Sequence, residues 1–173
     1  MAIPKYARLE NERRFLVDLP LAPALDWSAS SLIEDIYFSH SRLRLRRMTD
    51  AATGTVHCKL CKKYGGEDAL SAPITNIYLD DLEYQMLESL PGDRVQKRRY
   101  RVNDGGLRFG VDVFEERLAG LVLAEIEMST RRELADVVLP AWVRADVTEV
   151  EAFTGGALSR IDAVALQKLL IAT

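Results

Sequence analysis

The stretch ENERRFLV, at positions 10–17, decides the fold of this chain. Its alternation predicts a strand on which Glu10, Glu12 and Arg14 share one face, while apolar residues occupy the end of the strand. A single charged strand face is most often the solvated side of a sheet. Whether this one has another meaning depends on whether later strands repeat the pattern.

Later stretches of the chain do repeat it. Strands are expected over 33–38, 42–46, 55–63, 74–79, 95–102, 107–114 and 121–128. Helices are expected after Asp80 or Asp81, after Thr130 and over 160–171. The charged positions on these strands are Arg42, Arg44, Arg46, Lys59, Lys97, Arg99, Arg101, Arg108, Asp112, Glu125 and Glu127. The last three strands have the spacing of an antiparallel meander.

Composition limits the classes of function. The 173 residues, 48% hydrophobic and 28% charged, predict one globular domain over 1–173. A net charge of -3 argues against an extended basic surface for a nucleic-acid polymer. The sequence has no apolar leader and no run of about 18 apolar residues, so we expect a cytoplasmic protein without a membrane partner. Cys58 and Cys61 would point to opposite faces of a strand, which favours two reduced thiols over a zinc site.

The charged strands are best explained together. Like charges directly opposed on neighbouring strands are destabilising, so this many basic residues on one face indicate a shared polyanion. The stretch 121–127 is too apolar for a surface strand, yet it carries Glu125 and Glu127. Paired carboxylates suit a hard cation such as Mg²⁺ or Mn²⁺. We therefore expect a polar-lined barrel or tunnel with helices outside and phosphoryl chemistry inside.

The same residues resemble the motifs of CYTH-domain proteins, the triphosphate tunnel metalloenzymes. This family includes inorganic triphosphatases, thiamine triphosphatases and class IV adenylate cyclases. The similar stretches are ENERRFLV at 10–17, LRLR at 43–46, KRRY at 97–100, VDVF at 111–114, LAEIE at 123–127 and VTE at 147–149. They follow one another in the family's order along most of the chain.

The resemblance implies an α+β fold, mainly antiparallel β, with an eight-stranded closed tunnel and helices packed outside. The implied substrate-binding residues are Arg14, Arg44, Arg46, Lys97 and Arg99. The implied metal-binding residues are Glu10, Glu12, Asp112, Glu125 and Glu127, and the implied catalytic residues are Glu10, Glu12 and Arg14. One further tunnel lysine stays open, because strand alternation favours Lys59 whereas its distance before the loop Gly65-Gly66 favours Lys62.

Two positions depart from the family pattern. Arg14 stands where the signature has lysine, and a planar guanidinium is not equivalent to an ammonium at a phosphate. Ile74 and Asn76 stand where many members carry another E-x-E pair.

The leading hypothesis is metal-dependent hydrolysis of inorganic tripolyphosphate or a similar small triphosphate, with Mg²⁺ or Mn²⁺ as cofactor. One alternative is a class IV-type adenylate cyclase. Another is a noncatalytic polyphosphate- or nucleotide-binding module, which the neutral residues Ile74 and Asn76 motivate. The expected partner is the small triphosphate substrate, and a homodimer is compatible with the sequence.

Overall fold

The computed structural model describes residues 3–65 and 68–173, so Gly66 of the predicted Gly-Gly loop lies outside the described residues. In these residues the strands are β1 (Arg8–Val17), β2 (Ser30–Phe38), β3 (Leu43–Asp50), β4 (Val56–Lys63), β5 (Ser71–Leu79), β6 (Gly92–Asp104), β7 (Leu107–Phe114), β8 (Val122–Met128) and β9 (Val143–Asp146). The helices are α1 (Asp81–Glu88), α2 (Arg131–Ala135), α3 (Gly155–Leu158) and α4 (Ala163–Ala172).

Eight of the strands form a closed antiparallel barrel. The order around it is β5-β4-β3-β2-β6-β7-β8-β1, and β1 pairs back to β5. The first residues of β1 pair with β5, whereas its last residues pair with the short strand β9. Closure leaves the barrel strands without a long exposed edge. The predicted fold class and the eight-stranded tunnel are therefore confirmed.

Strand alternation divides each barrel strand into an inward and an outward face. In the register of β1 with β8, Glu12 is opposite Glu127 and Arg14 is opposite Glu125. Residues that pair in an antiparallel sheet point to the same side, so these four share the inward face. Phe15, the residue after Arg14, points outward, where it is fully buried.

Two apolar layers cover the outside of the barrel. Beneath α2 and the segment after it, Phe15 packs with Phe109 and Trp142, whose ring centroids lie 5.1 Å apart in an edge-to-face arrangement. Beneath α1, Leu45 and Cys58 pack with other buried residues of β2 and the helix. A capping box at Asp80 starts α1, as the sequence predicts.

A third apolar cluster closes around one end of the barrel. Inward-facing Phe114 and Leu123 pack there against Phe153, Leu158 and Leu166, which come from the C-terminal segment. The predicted helix over 160–171 begins later, at Ala163, because the Asp162 side chain accepts a hydrogen bond from the amide of Ala165 and caps it. Among the described residues, no helix is long and apolar enough to cross a membrane.

Candidate active site

A cavity of about 1440 Å³ runs inside the barrel, and we call it the tunnel. Its wall contains most of the charged residues that the sequence singles out: Glu10, Glu12, Arg14, Arg42, Arg44, Arg46, Lys59, Lys97, Arg99, Arg101, Arg108, Glu125 and Glu127. Arg8, Asp35 and Lys63 line it as well, and basic residues outnumber acidic ones in the wall. The strands thus bring the predicted cations and both E-x-E pairs into one space.

Asp35 of β2 holds the two arginines of β3. Its carboxylate accepts two hydrogen bonds from Arg46, at 2.6 Å from Nε and 2.7 Å from Nη2, and its Oδ1 lies 3.7 Å from Nε of Arg44. Asp35 is 1% exposed. Burial alone would raise the pKa of this carboxyl, but Arg46 and Arg44 outweigh burial and hold the pKa well below its ordinary value. Asp35 therefore stays ionised and fixes the guanidinium of Arg46, whereas it attracts Arg44 by charge alone, since the buried Nε of Arg44 has no hydrogen-bond partner in the described part of the chain.

Asp112 of β7 holds two basic residues of β6, Lys97 and Arg99. Its two oxygens each accept a hydrogen bond of 2.6 Å from Arg99, and Oδ2 also accepts one from Lys97. Asp112 is fully buried and does not belong to the tunnel wall. Asp112 therefore positions Lys97 and Arg99 in this structure, and its expected role as a metal ligand stays a prediction.

Arg14 joins the two E-x-E pairs, which lie on the neighbouring strands β1 and β8. Its Nη2 lies 3.0 Å from Oε1 of Glu12, and its Nε lies 3.2 Å from Oε1 of Glu125. The other oxygen of Glu125 accepts a hydrogen bond from Arg99. Burial alone would raise the pKa of Glu125, but Arg99, Lys97 and Arg14 lower it well below the ordinary carboxyl value.

Lys63, at the end of β4, serves the carboxylates of β1. Its Nζ lies 2.8 Å from Glu10 and 2.9 Å from Glu12. Burial alone would lower the pKa of Lys63, yet the carboxylates Glu12 and Glu10 outweigh it and raise the pKa. The pKa of Glu10 is lowered in turn, because Lys63 outweighs the effect of burial. Each group thus stabilises the charged form of the other.

The position of the remaining predicted lysine follows from β4. Lys59 points into the tunnel with Cys61 and Lys63, whereas Lys62 faces away from it and lies 5.2 Å from the ring of Tyr64. Lys62 as the tunnel lysine is therefore wrong, since the unbroken strand from Val56 to Lys63 keeps only odd-numbered residues on the inner face. Burial lowers the pKa of Lys59, which forms no salt bridge within residues 3–65 and 68–173.

The two cysteines point to opposite sides of β4, as the sequence predicts. Cys58 is buried beneath α1, whereas Cys61 lines the tunnel. The thiol of Cys61 lies 2.8 Å from Oδ1 of Asn76 and 3.4 Å from Nη2 of Arg44. Both thiols are free.

Neutral residues occupy the two positions of β5 at which many CYTH-domain proteins carry acidic ones. Ile74 is opposite Lys63 in the register, and Asn76 is opposite Cys61, so both belong to the inward face. Ile74 is 2% exposed. The side of the tunnel next to Glu10 therefore carries an apolar group and an amide in place of two carboxylates.

The acidic residues of the tunnel fit a divalent metal in their chemistry. Glu10, Glu12, Glu125 and Glu127 offer the hard carboxylate oxygens that Mg²⁺ and Mn²⁺ prefer. In the part of the chain that is described, no three Asp, Glu, His or Cys side chains converge closely enough to hold a metal. Basic groups lie between the carboxylates instead, and Glu127 pairs with Arg8 at 3.2 Å.

Sequence reasoning missed Asp35 and Lys63. Asp35 is an isolated acid on the inward face of β2, and extending the strand alternation would have placed it there. In the sequence, Lys63 resembles a solvated residue at the end of a strand. In the structure it pairs with Glu10 and Glu12. The partners of Lys63 could not be found without the pairing of strands distant in sequence.

No family model and no curated protein matches this chain in sequence comparison. Solved structures do match. Two crystal structures of the protein NE1496, described once as a hypothetical protein and once as an inorganic triphosphatase, are each 26% identical to it. The first has a TM-score of 0.60 and covers 88% of this chain and 99% of its own. The second has a TM-score of 0.57, with coverages of 87% and 93%.

The protein bh2851 from Bacillus halodurans is 15% identical, with a TM-score of 0.50 over 75% of this chain and 86% of its own, and this likeness concerns the fold alone. The closed barrel, the order of its charged strands and the likeness to NE1496 together fit the CYTH-domain, or triphosphate tunnel metalloenzyme, family, as the sequence motifs predict.

Proposed function

We propose that this protein hydrolyses inorganic tripolyphosphate or a similar small triphosphate inside the tunnel, with Mg²⁺ or Mn²⁺. One observation carries the proposal: buried carboxylates hold several basic side chains in fixed positions on the tunnel wall, beside two E-x-E pairs. The description of NE1496 as an inorganic triphosphatase supports it. The substrate would be the expected partner of the chain.

The basic side chains would bind and orient the phosphate chain. Arg44, Arg46 and Arg99 present planar guanidinium groups, which suit the paired oxygens of a phosphate. Asp35 fixes Arg46 and Asp112 fixes Arg99 by hydrogen bonds, so little ordering of these two side chains remains to be done when substrate binds. Lys59 adds a half-buried ammonium whose charge a phosphate would stabilise.

The carboxylates would remain ionised at neutral pH. Because the pKa values of Glu10 and Glu125 are lowered, these groups are poor proton acceptors and better ligands for a cation. Glu10, Glu12, Glu125 and Glu127 would hold the divalent metal. When bound, it would neutralise phosphate oxygens and lower the pKa of a water molecule that attacks the terminal phosphorus. A phosphate chain would also compete for Arg14 and Lys63, and so release these carboxylates.

The test is phosphate release from tripolyphosphate with Mg²⁺ or Mn²⁺. We expect turnover by the wild type and a loss of about a hundredfold or more in Glu125→Gln, since that group contacts the cations that would bind substrate. Glu149→Gln is the matched control, because Glu149 is exposed and lies outside the tunnel wall. No release from any phosphate ester or anhydride, with any divalent metal, would contradict the proposal. ATP belongs to the screen, with cyclic AMP as the readout of cyclisation.

A noncatalytic binding module is the second candidate, and the neutral inward residues Ile74 and Asn76 favour it. In that case the wild type would bind tripolyphosphate tightly without turnover. The double variant Ile74→Glu with Asn76→Glu supplies the two missing carboxylates. Turnover that appears only in this variant would establish the binding module, whereas turnover in the wild type would exclude it.

A further inference from the structure

A second cavity of about 790 Å³ adjoins the tunnel, and we call it the vestibule. It lies where the turn between β2 and β3 meets the residues that follow α3. Its basic residues are His40, Arg42, Lys62 and Arg160, and Asp93 is the acidic residue among the described residues that line it. Arg42 and Arg160 also line the tunnel, so the two cavities are neighbours with a shared wall.

The basic groups of the vestibule differ from those deep in the tunnel. Arg46, Arg99 and Lys63 are each held by carboxylates. Within residues 3–65 and 68–173, Lys62 and Arg160 form no salt bridge. The vestibule therefore concentrates uncompensated positive charge on a protein whose net charge is -3.

The position of Arg42 links the two cavities. Its Nη1 donates a hydrogen bond to the carbonyl of Tyr64, and this contact holds the guanidinium beside the chain that follows β4. The same side chain faces both the tunnel and the vestibule. An anion bound along the tunnel could therefore continue past Arg42 to Lys62 and Arg160 without leaving basic surroundings.

We propose that the vestibule binds the outer phosphates of a linear polyphosphate longer than the tunnel accommodates, and so makes the protein favour long chains. This proposal rests on the proposed function, because it assumes that the tunnel binds the inner phosphates. The lining fits phosphate: Ser39, Ser41 and Ser159 add hydroxyl groups to the basic ones.

The test compares the binding of tripolyphosphate and of a long-chain linear polyphosphate by calorimetry, without added metal. The variant is Lys62→Gln with His40→Asn, since both residues line the vestibule and not the tunnel. Asparagine suits position 40, whose φ is 54°. We expect the Kd for the long chain to rise about three- to tenfold, as the charge of Lys62 and the imidazole contact of His40 are lost, and the Kd for tripolyphosphate to stay unchanged.

Lys168→Gln is the matched control, because it removes one positive charge from an exposed position of α4 outside both cavities. An unchanged Kd for the long chain in the double variant would contradict phosphate binding in the vestibule, whatever the catalytic activity. An equal rise for both ligands, or a rise of the same size in Lys168→Gln, would also overturn it. A selective rise in a protein that releases no phosphate would support the vestibule and contradict only the hydrolase proposal.

Discussion

Arg14 lies between the two E-x-E pairs, with its Nε 3.2 Å from Oε1 of Glu125, and so occupies the place where carboxylates would otherwise approach one another. A lysine has one ammonium and could not reach Glu12, Glu125 and the carbonyl of Phe153 at once, as Arg14 does. The arginine therefore stabilises the tunnel in a form in which its acidic residues are paired with cations.

Replacing Arg14 by lysine should favour metal binding at the expense of stability. We expect Mn²⁺ to bind about tenfold more tightly, since a competing charge-assisted hydrogen bond is worth about 1.5 kcal/mol. The free energy of unfolding should fall by about 1–3 kcal/mol through the lost contacts. Electron paramagnetic resonance of Mn²⁺ and urea unfolding measure the two effects. Arg13→Lys is the control, because Arg13 pairs with Asp146 outside the tunnel; weaker or unchanged Mn²⁺ binding in Arg14→Lys would contradict the prediction.

Asp35→Asn should destabilise the protein strongly. It leaves Arg46 and Arg44 without their buried counter-ion, and breaking such a pair costs about 3–5 kcal/mol. Urea unfolding measures the loss, and Glu34→Gln at the preceding position of β2 serves as the control. Tripolyphosphate should raise the melting temperature of Asp35→Asn more than that of the wild type, because its phosphates can replace the lost carboxylate. A smaller shift in the variant would show that these arginines do not meet the ligand.

The loss of folding free energy at low pH should depend on the carboxylates that line the tunnel. The pKa values of Asp35, Glu10 and Glu125 are lowered in the folded state, so the unfolded state binds more protons in acid. Their contribution is therefore complete above the unfolded carboxyl pKa of about 4 and is lost progressively as pH falls below it. Urea unfolding at a series of pH values from about 3 to about 7 measures how steeply the free energy of unfolding depends on pH. Asp35→Asn should flatten this dependence, and an equal slope in both proteins would contradict the assignment.

Much of the barrel follows from period-two alternation, which is local. The strand 107–114 is predicted with its observed ends, and the inward positions of Arg44 and Arg46 follow from counting. The partners of the charged residues depend on register between strands that are distant in sequence. For that reason Asp112 reads as a metal ligand in the sequence but is bound by Lys97 and Arg99 in the structure.

The choice between neighbouring lysines shows the same limit. Lys62 and Lys63 differ by one residue, and one residue reverses the face of a strand. The distance to the Gly-Gly loop favours Lys62, whereas the continuous strand β4 directs Lys63 to Glu10 and Glu12. Alternation extended to the end of β4 would have identified Lys63 as inward-facing, although its partners required the pairing of β1 with β5.

The approach of the C-terminal segment to the barrel should depend on Gly155. A Cβ added there would overlap the hydroxyl of Tyr37, a tunnel residue, whereas a Cβ on Gly156 would lie 3.9 Å from the Tyr37 ring. Gly155→Ala should lower the free energy of unfolding by about 1–3 kcal/mol, as overpacking does, and should reduce turnover by displacing Tyr37 or the segment. Gly156→Ala should leave stability within about 1 kcal/mol of the wild type, because alanine only restricts the unfolded chain there. Urea unfolding and phosphate release measure both variants. Equal stability and equal turnover of the two would show that the close contact between Tyr37 and Gly155 does not position the C-terminal segment against the barrel.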